Sequence, residues 1–151
     1  MNYPATLNSF RSCLKVIDTF RLVFKIAGAA TFVHTGNSLC YVNYVPNEEE
    51  TSDYIPGCSG RIGAVTQWFK NYPKGLADLD ATLSEIDKHV LVFWGKEDQL
   101  LLVDNAHRLA QRLKRSRLHI FENCGHYSYQ DKHEEFRDVV TKWVNGGYRS
   151  V

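Results

Sequence analysis

Apolar positions change rhythm along the chain, from spacings of three and four to unbroken runs and back. Leu7, Phe10, Leu14, Ile17 and Phe24 fall on one side of a helix. Val16, Phe20, Leu22, Val23 and Ile26 widen that stripe, so a second surface of the helix is expected to be buried, and Gly28 weakens the helix where it occurs. Residues 29–44 carry Phe32, Val33, Leu39, Tyr41, Val42 and Tyr44 around the turn formers Gly36 and Asn37, and both strand and helix fit. Pro46, Asn47 and the run Glu48-Glu49-Glu50 mark either a solvated connection or a helix start. Ile62, Val65, Phe69 and Tyr72 share a helical face with Trp68 beside it, and Pro73 ends the pattern. Leu76, Leu79, Leu83 and Ile86 form another short stripe.

The second half reads differently. Val90-Leu91-Val92-Phe93-Trp94 is an unbroken apolar run bounded by Gly95, the pattern of a strand covered on both faces. A helix follows, with Asp104 as its expected cap and Ala106, Leu109, Ala110 and Leu113 as its buried face. Leu118 to Phe121 predicts a second strand. Phe136, Val139, Val140, Trp143 and Val144 predict a last helix, stopped by Gly146 and Gly147. Strand, helix, strand, helix over Val90 to Val144 is the signature of a parallel α/β sheet. Two strands cannot cover themselves, so something must pack beside them: the residue 29–44 region, a partner, or a part of the fold outside this sequence.

Composition narrows the function classes. Apolar residues are 44% and charged residues 23% of the 151, which is ordinary for a globular domain. A net charge of +1 gives no reason to expect nucleic acid or another polyanion as partner. Cys13, Cys40, Cys58 and Cys124 form no Cys-x-x-Cys pair, so a zinc or redox motif is not expected, and reduced buried thiols are. Arg11, Lys15, Asp18, Arg21 and Lys25 interrupt the apolar residues near the N-terminus. No secretory h-region or membrane-spanning helix is expected there, and the cytoplasm is the default location.

Chemistry is expected outside the carboxyl ends of the two strands, where open α/β sheets place it. Asp98 comes four residues after Trp94, and His126 comes five after Phe121. A carboxylate bonded to one ring nitrogen leaves the other nitrogen to take a proton from water or a hydroxyl. Glu97 is an alternative acid. His119 alternates with Leu118 and Ile120 and is expected to face solvent. Asp131 and His133 lie close enough to His126 to suggest a metal, but capping of a helix start accounts for Asp131, and no metal is expected. Cys124 adjoins the Gly125-His126 turn without the placement of a nucleophile. Trp68, Phe69 and Tyr72 either line a substrate pocket or pack as core.

Leu91 to Asp98 and Phe121-Glu122-Asn123-Cys124-Gly125-His126 together resemble the C-terminal part of the α/β-hydrolase fold superfamily. In that family the acid follows the penultimate strand in a Gly-x-x-Asp turn and the base follows the last strand in a Gly-His pair. Asp98 and His126 match those motifs, and the resemblance covers about Ile86 to Val144. The helical region Leu7 to Leu83 resembles the cap that many members insert before that strand, with Arg61 to Pro73 similar to a cap helix of epoxide-hydrolase and haloalkane-dehalogenase-like members. The resemblance implies residues 1–85 as a helical cap and 86–147 as the C-terminal part of the core. It also implies a small, largely apolar substrate (an ester, an epoxide or a related bond), with no organic cofactor or metal.

The departure from the family is the nucleophile. Members carry it on a Gly-x-Ser-x-Gly elbow or a variant, because glycines permit the sharp turn. None occurs here. Gly36-Asn37-Ser38-Leu39-Cys40 is nearest, with Cys40 in place of the second glycine, and Ser38 follows Thr31-Phe32-Val33, which would have to be a strand. In Gly57-Cys58-Ser59-Gly60 the second glycine comes one position early. Two functions therefore stand: the acid/base part of a hydrolase whose elbow lies outside this sequence or has been lost by divergence, or a non-catalytic module that pairs with a partner strand or a second copy beside Val90 to Trp94.

Overall fold

The computed structural model describes residues 26–61, 63–64, 67–68 and 79–149. The helix expected from Leu7 to Phe24 and the expected face of Ile62, Val65, Phe69 and Tyr72 lie outside them. The chain divides into two compact units: Met1–Thr35 with Asn47–Ala77, and Gly36–Pro46 with Asp78–Val151.

In the first unit, helix α1 (residues 26–40, whose last turn falls in the second unit) settles the reading of residues 29–44 as helix up to Cys40. Helix α2 (Glu48–Cys58) explains the acidic run. Asn47 Oδ1 accepts from the Glu50 amide at 2.8 Å and Glu50 Oε2 accepts from the Asn47 amide at 2.9 Å, a reciprocal cap at a helix start. Three glutamates in the first turn also suit the positive end of the helix dipole. Gly57-Cys58-Ser59-Gly60 is the end of α2: Ser59 is its C-cap and Gly60 turns out of it with φ 71°. Trp68 is 58% exposed, so it is not a core residue of this unit, and Phe69 and Tyr72 lie outside the described residues.

The second unit holds the strands. Residues 79–83 form the short helix α3. Strand β1 (Val90–Gly95) pairs in parallel with β2 (Ser116–Phe121), in register from Val90 opposite Ser116 to Gly95 opposite Phe121. Helix α4 (Asp104–Arg112) connects them. Helices α5 (Ser128–Asp131) and α6 (His133–Asn145) follow. Each sheet face is covered, as the apolar strands require. Val92, Ala106 and Leu113 form the core on the α4 side, with Leu83, Trp94, Leu109 and Ile120 against it. Phe121, Cys124 and Val139 form the core on the α6 side, where Phe93 meets Phe136 edge-on at 4.9 Å between ring centroids.

Three side chains depart from expectation. Asp104 makes no capping bond; it is the first residue of α4, and Val103 holds the cap position. His119 is half-buried rather than facing solvent, because α6 lies over it. Its Nε2 meets Glu135 Oε1 at 3.2 Å and its ring packs edge-on against Phe121. Asp131 does not cap a helix start either. It is buried, and its carboxylate accepts from four backbone amides: Val42 at 3.0 Å, Asn43 and Tyr44 at 2.7 Å each, and Gly125 at 2.6 Å. Short charge-assisted bonds of this kind are about twice as strong as neutral ones. Burial pushes the Asp131 carboxyl upward, but the amides of Gly125, Tyr44, Asn43 and Val42 outweigh it and hold it below its ordinary value.

Two glycines permit the close approach of backbone around this carboxylate. A methyl group at Gly95 would overlap the carbonyls of Gly125 and Cys124, and one at Gly125 would come within 2.9 Å of the Cys40 carbonyl carbon and overlap its oxygen. Gly125→Ala is therefore expected to lower stability by about 1–3 kcal/mol, the usual cost of overpacking, read as a lower thermal midpoint. Asp131→Asn leaves one carbonyl oxygen for four donors and is expected to cost about 2–4 kcal/mol at neutral pH. The folded Asp131 binds its proton more weakly than the unfolded chain does, so its contribution is complete above the ordinary carboxyl range of about 4 and fades as pH falls through the folded value. Thermal midpoints of wild type and Asp131→Asn should accordingly converge below about pH 4; a gap that stays constant on acidification would contradict this.

Candidate active site

Asp98 lies three residues beyond β1 and His126 five beyond β2, so the parallel pairing brings both to one end of the sheet. They meet there. His126 Nδ1 donates to Asp98 Oδ2 at 2.8 Å, with the Asp98 side chain 3% and the His126 side chain 27% exposed. An ionised carboxylate can only accept, so the bond fixes the imidazole proton on Nδ1 and leaves the Nε2 lone pair outside the pair. Among the described residues Nε2 has no hydrogen-bond partner.

Asp98 is held by its own turn. Asp98 Oδ1 accepts from the Leu100 amide at 2.8 Å and the Leu101 amide at 2.9 Å, and its own amide reaches back to Gly95 O at 3.4 Å. One carboxylate oxygen is thus committed to the backbone and the other is aimed at the histidine. Beside it, Trp94 Nε1 donates to Leu101 O at 2.7 Å and ties that loop to β1.

Glu97 has a different partner. Its Oε2 accepts from the Cys124 amide at 2.8 Å while its own amide donates to Cys124 O at 3.0 Å. It joins the acid turn to the base loop and does not hold the histidine. His126 is positioned by backbone from α1: Cys40 O accepts from the His126 amide at 2.7 Å and from the Tyr127 amide at 3.3 Å. The segment after α1 is bound to the same loop. Asn123 Nδ2 donates to Asn43 Oδ1 at 2.7 Å, Asn43 Nδ2 donates to Asn123 O, and the Tyr41 hydroxyl donates to Gln130 Oε1 at 2.6 Å. Tyr127 packs tilted against His126 and Tyr41, with ring centroids 5.3 Å apart in each pair.

Nucleophile chemistry is less developed. Ser38 is an exposed residue in the last turn of α1, not the tip of a strand-turn-helix elbow, because residues 31–33 are helical. Cys40 and Cys124 are both buried. Burial raises the Cys40 thiol, a bond with Tyr127 works the other way, and the nearby Asp98 charge raises it again. Cys124, pushed up to about 12 by burial and then by the Asp131 charge, is held as the neutral thiol. His133 is exposed, and the Asp131 oxygens are committed to amides.

The sequence points to the Asp98–His126 pair but not to the groups that support it. The Cys40 carbonyl has no side-chain signal. Asp131 offers only its place, five residues after the Gly-His pair, and nothing in the sequence links it to residues 42–44.

No protein-family model matches the chain. Individual relatives do. It is 25% identical to a 2-hydroxy-6-oxo-6-phenylhexa-2,4-dienoate hydrolase of Comamonas testosteroni over 93% of this chain and 51% of that protein. It is 34% identical over 72 residues to a 2-hydroxy-6-oxononadienedioate/2-hydroxy-6-oxononatrienedioate hydrolase of Pseudomonas putida, covering 48% of this chain and 25% of the relative. The chain thus spans a quarter to a half of the length of these curated relatives. Among solved structures it superposes on an esterase from Exiguobacterium antarcticum with a TM-score of 0.67 at 20% identity, over 87% of this chain and 48% of that one. A 2-hydroxy-6-oxo-6-phenylhexa-2,4-dienoate hydrolase from Rhodococcus sp. strain RHA1 gives a TM-score of 0.54 at 21% identity, over 65% of this chain and 37% of that one. A parallel strand pair sandwiched between α4 and α6, together with these matches, shows that the chain carries part of an α/β-hydrolase fold.

Proposed function

We propose that Asp98 and His126 are the acid and base of a hydrolytic triad acting on a small, largely apolar substrate with a reactive carbonyl. The substrate class is an ester, or an oxo-dienoate of the kind named for the relatives. The observation that carries this reading is the 2.8 Å bond from His126 Nδ1 to a buried carboxylate that two backbone amides already orient. His126 Nε2 takes the proton of the attacking hydroxyl and returns it to the leaving group, and the Asp98 charge stabilises the imidazolium between those steps. The third member is an elbow that this sequence does not contain: it has no Gly-x-Ser-x-Gly, and Ser38 lies in a helix. On this reading the nucleophile comes from residues outside these 151.

A chromogenic short-chain ester tests both parts. The 151-residue chain is expected to give no turnover above its His126→Ala variant, and clear turnover would sink the claim about the nucleophile. In a longer product carrying an upstream elbow, His126→Ala is expected to lower kcat by roughly 10⁶ and Asp98→Asn by roughly 10⁴. Activity that survives His126→Ala there would remove His126 as the base.

A second reading has its own observation. The sheet has two strands, and the outer edge of β1 has no partner strand among the described residues. Such an edge can pair with another chain, and we propose a second copy beside Val90 to Trp94 as the non-catalytic alternative. Light scattering after size exclusion at several concentrations should then show a dimer; a monomer throughout would count against it.

A further inference from the structure

We propose that Asp131 is a positioning residue for His126, acting through the backbone of residues 40–44. The inference rests on reading Asp98 and His126 as the acid–base pair. The two members of that pair are anchored unequally. Asp98 is held by amides two and three residues away, within its own turn. His126 lies five residues past the end of β2, and its amide bonds to Cys40 O, from a part of the chain more than eighty residues earlier. The place of His126 thus depends on whatever holds Cys40.

Asp131 is what holds it. The amides of Val42, Asn43 and Tyr44 converge on its carboxylate, and the Gly125 amide shares Oδ2 with Val42. One oxygen therefore bridges the segment that carries the Cys40 carbonyl and the residue just before the histidine. Without that charge four N–H groups would face one another with no acceptor. The Asn43–Asn123 and Tyr41–Gln130 bonds cross the same gap, but they engage other atoms and cannot take these amides. The helix that carries Asp131 does not account for it: a carboxylate at the C-terminal end of α5 gains nothing from the helix dipole. Its low proton affinity fits a carboxylate bound by amides.

The test reads the imidazole and needs no turnover. In ring-nitrogen NMR of the chain, neutral His126 is expected to carry its proton on Nδ1, and Asp98→Asn should lose that signature. Asp131→Asn should lose it too, moving the ring toward the Nε2-protonated form favoured in free histidine, while β1 and β2 amide resonances hold their positions. An Asp131→Asn protein that keeps the wild-type tautomer overturns the proposal. If Asp98→Asn changes nothing, the acid–base reading itself fails and this proposal falls with it. Should Asp131→Asn not fold, hydrogen exchange on the wild-type chain decides. The amides of Val42, Asn43, Tyr44, Gly125 and His126 should open as one unit, with protection agreeing within about threefold. Protection of His126 more than about tenfold above that of residues 42–44 would show that the histidine is held without them.

Discussion

Three stretches of main chain touch at the carboxyl end of the strand pair, with no side chains between them. Gly95 leaves β1 against the Cys124 and Gly125 carbonyls, and Gly125 lies against the carbonyl of Cys40. The placing of Asp98 and His126 depends on this contact. It puts the Asp98 turn beside the His126 loop, and it presses the end of α1 onto that loop so that one carbonyl can take the His126 amide. A side chain at either glycine would separate backbones that have to exchange hydrogen bonds.

Three carboxylates share this small region and do different work because their partners differ. Asp98 accepts from two amides and an imidazole, so its charge is placed where a cation can form. Asp131 accepts from four amides and has no capacity left for a ring or a metal. Glu97, exposed and bound to one amide, staples two loops. The residue type is almost the same in each case. Burial and the number of donors set the role, and neither can be read from the side chain alone.

That difference explains what was legible in the sequence. The β1 and β2 runs, the α4 and α6 faces and the Asp98–His126 pair depend on local patterns: continuous apolar residues, three-four spacing, and a polar residue just past a strand. The strands and helices lie where these patterns put them, and Asp98 and His126 come within hydrogen-bond distance of each other. Residues 29–44 leave both readings open, because Phe32 and Val33 suit a strand as well as a helix, and the bonds that Cys40 and Asn43 make to residues 123–131 leave no local trace. The neighbours of Asp131 in sequence suggest a cap, whereas its partners at 42–44 are distant in sequence and adjacent only in space. His119 kept the alternation of a strand, but α6 covers the face it points to.

The atom that fixes the His126 backbone is a carbonyl, and every amino acid has one. Whatever residue fills the buried space at position 40 can supply it, and residues 42–44 present amides whichever side chains they bear, proline excepted. Selection acting on the histidine's place therefore constrains the path of this segment far more than its letters. Substitutions can accumulate there while the geometry persists, so kinship across this region should be easier to recognise by superposing backbones than by aligning residues.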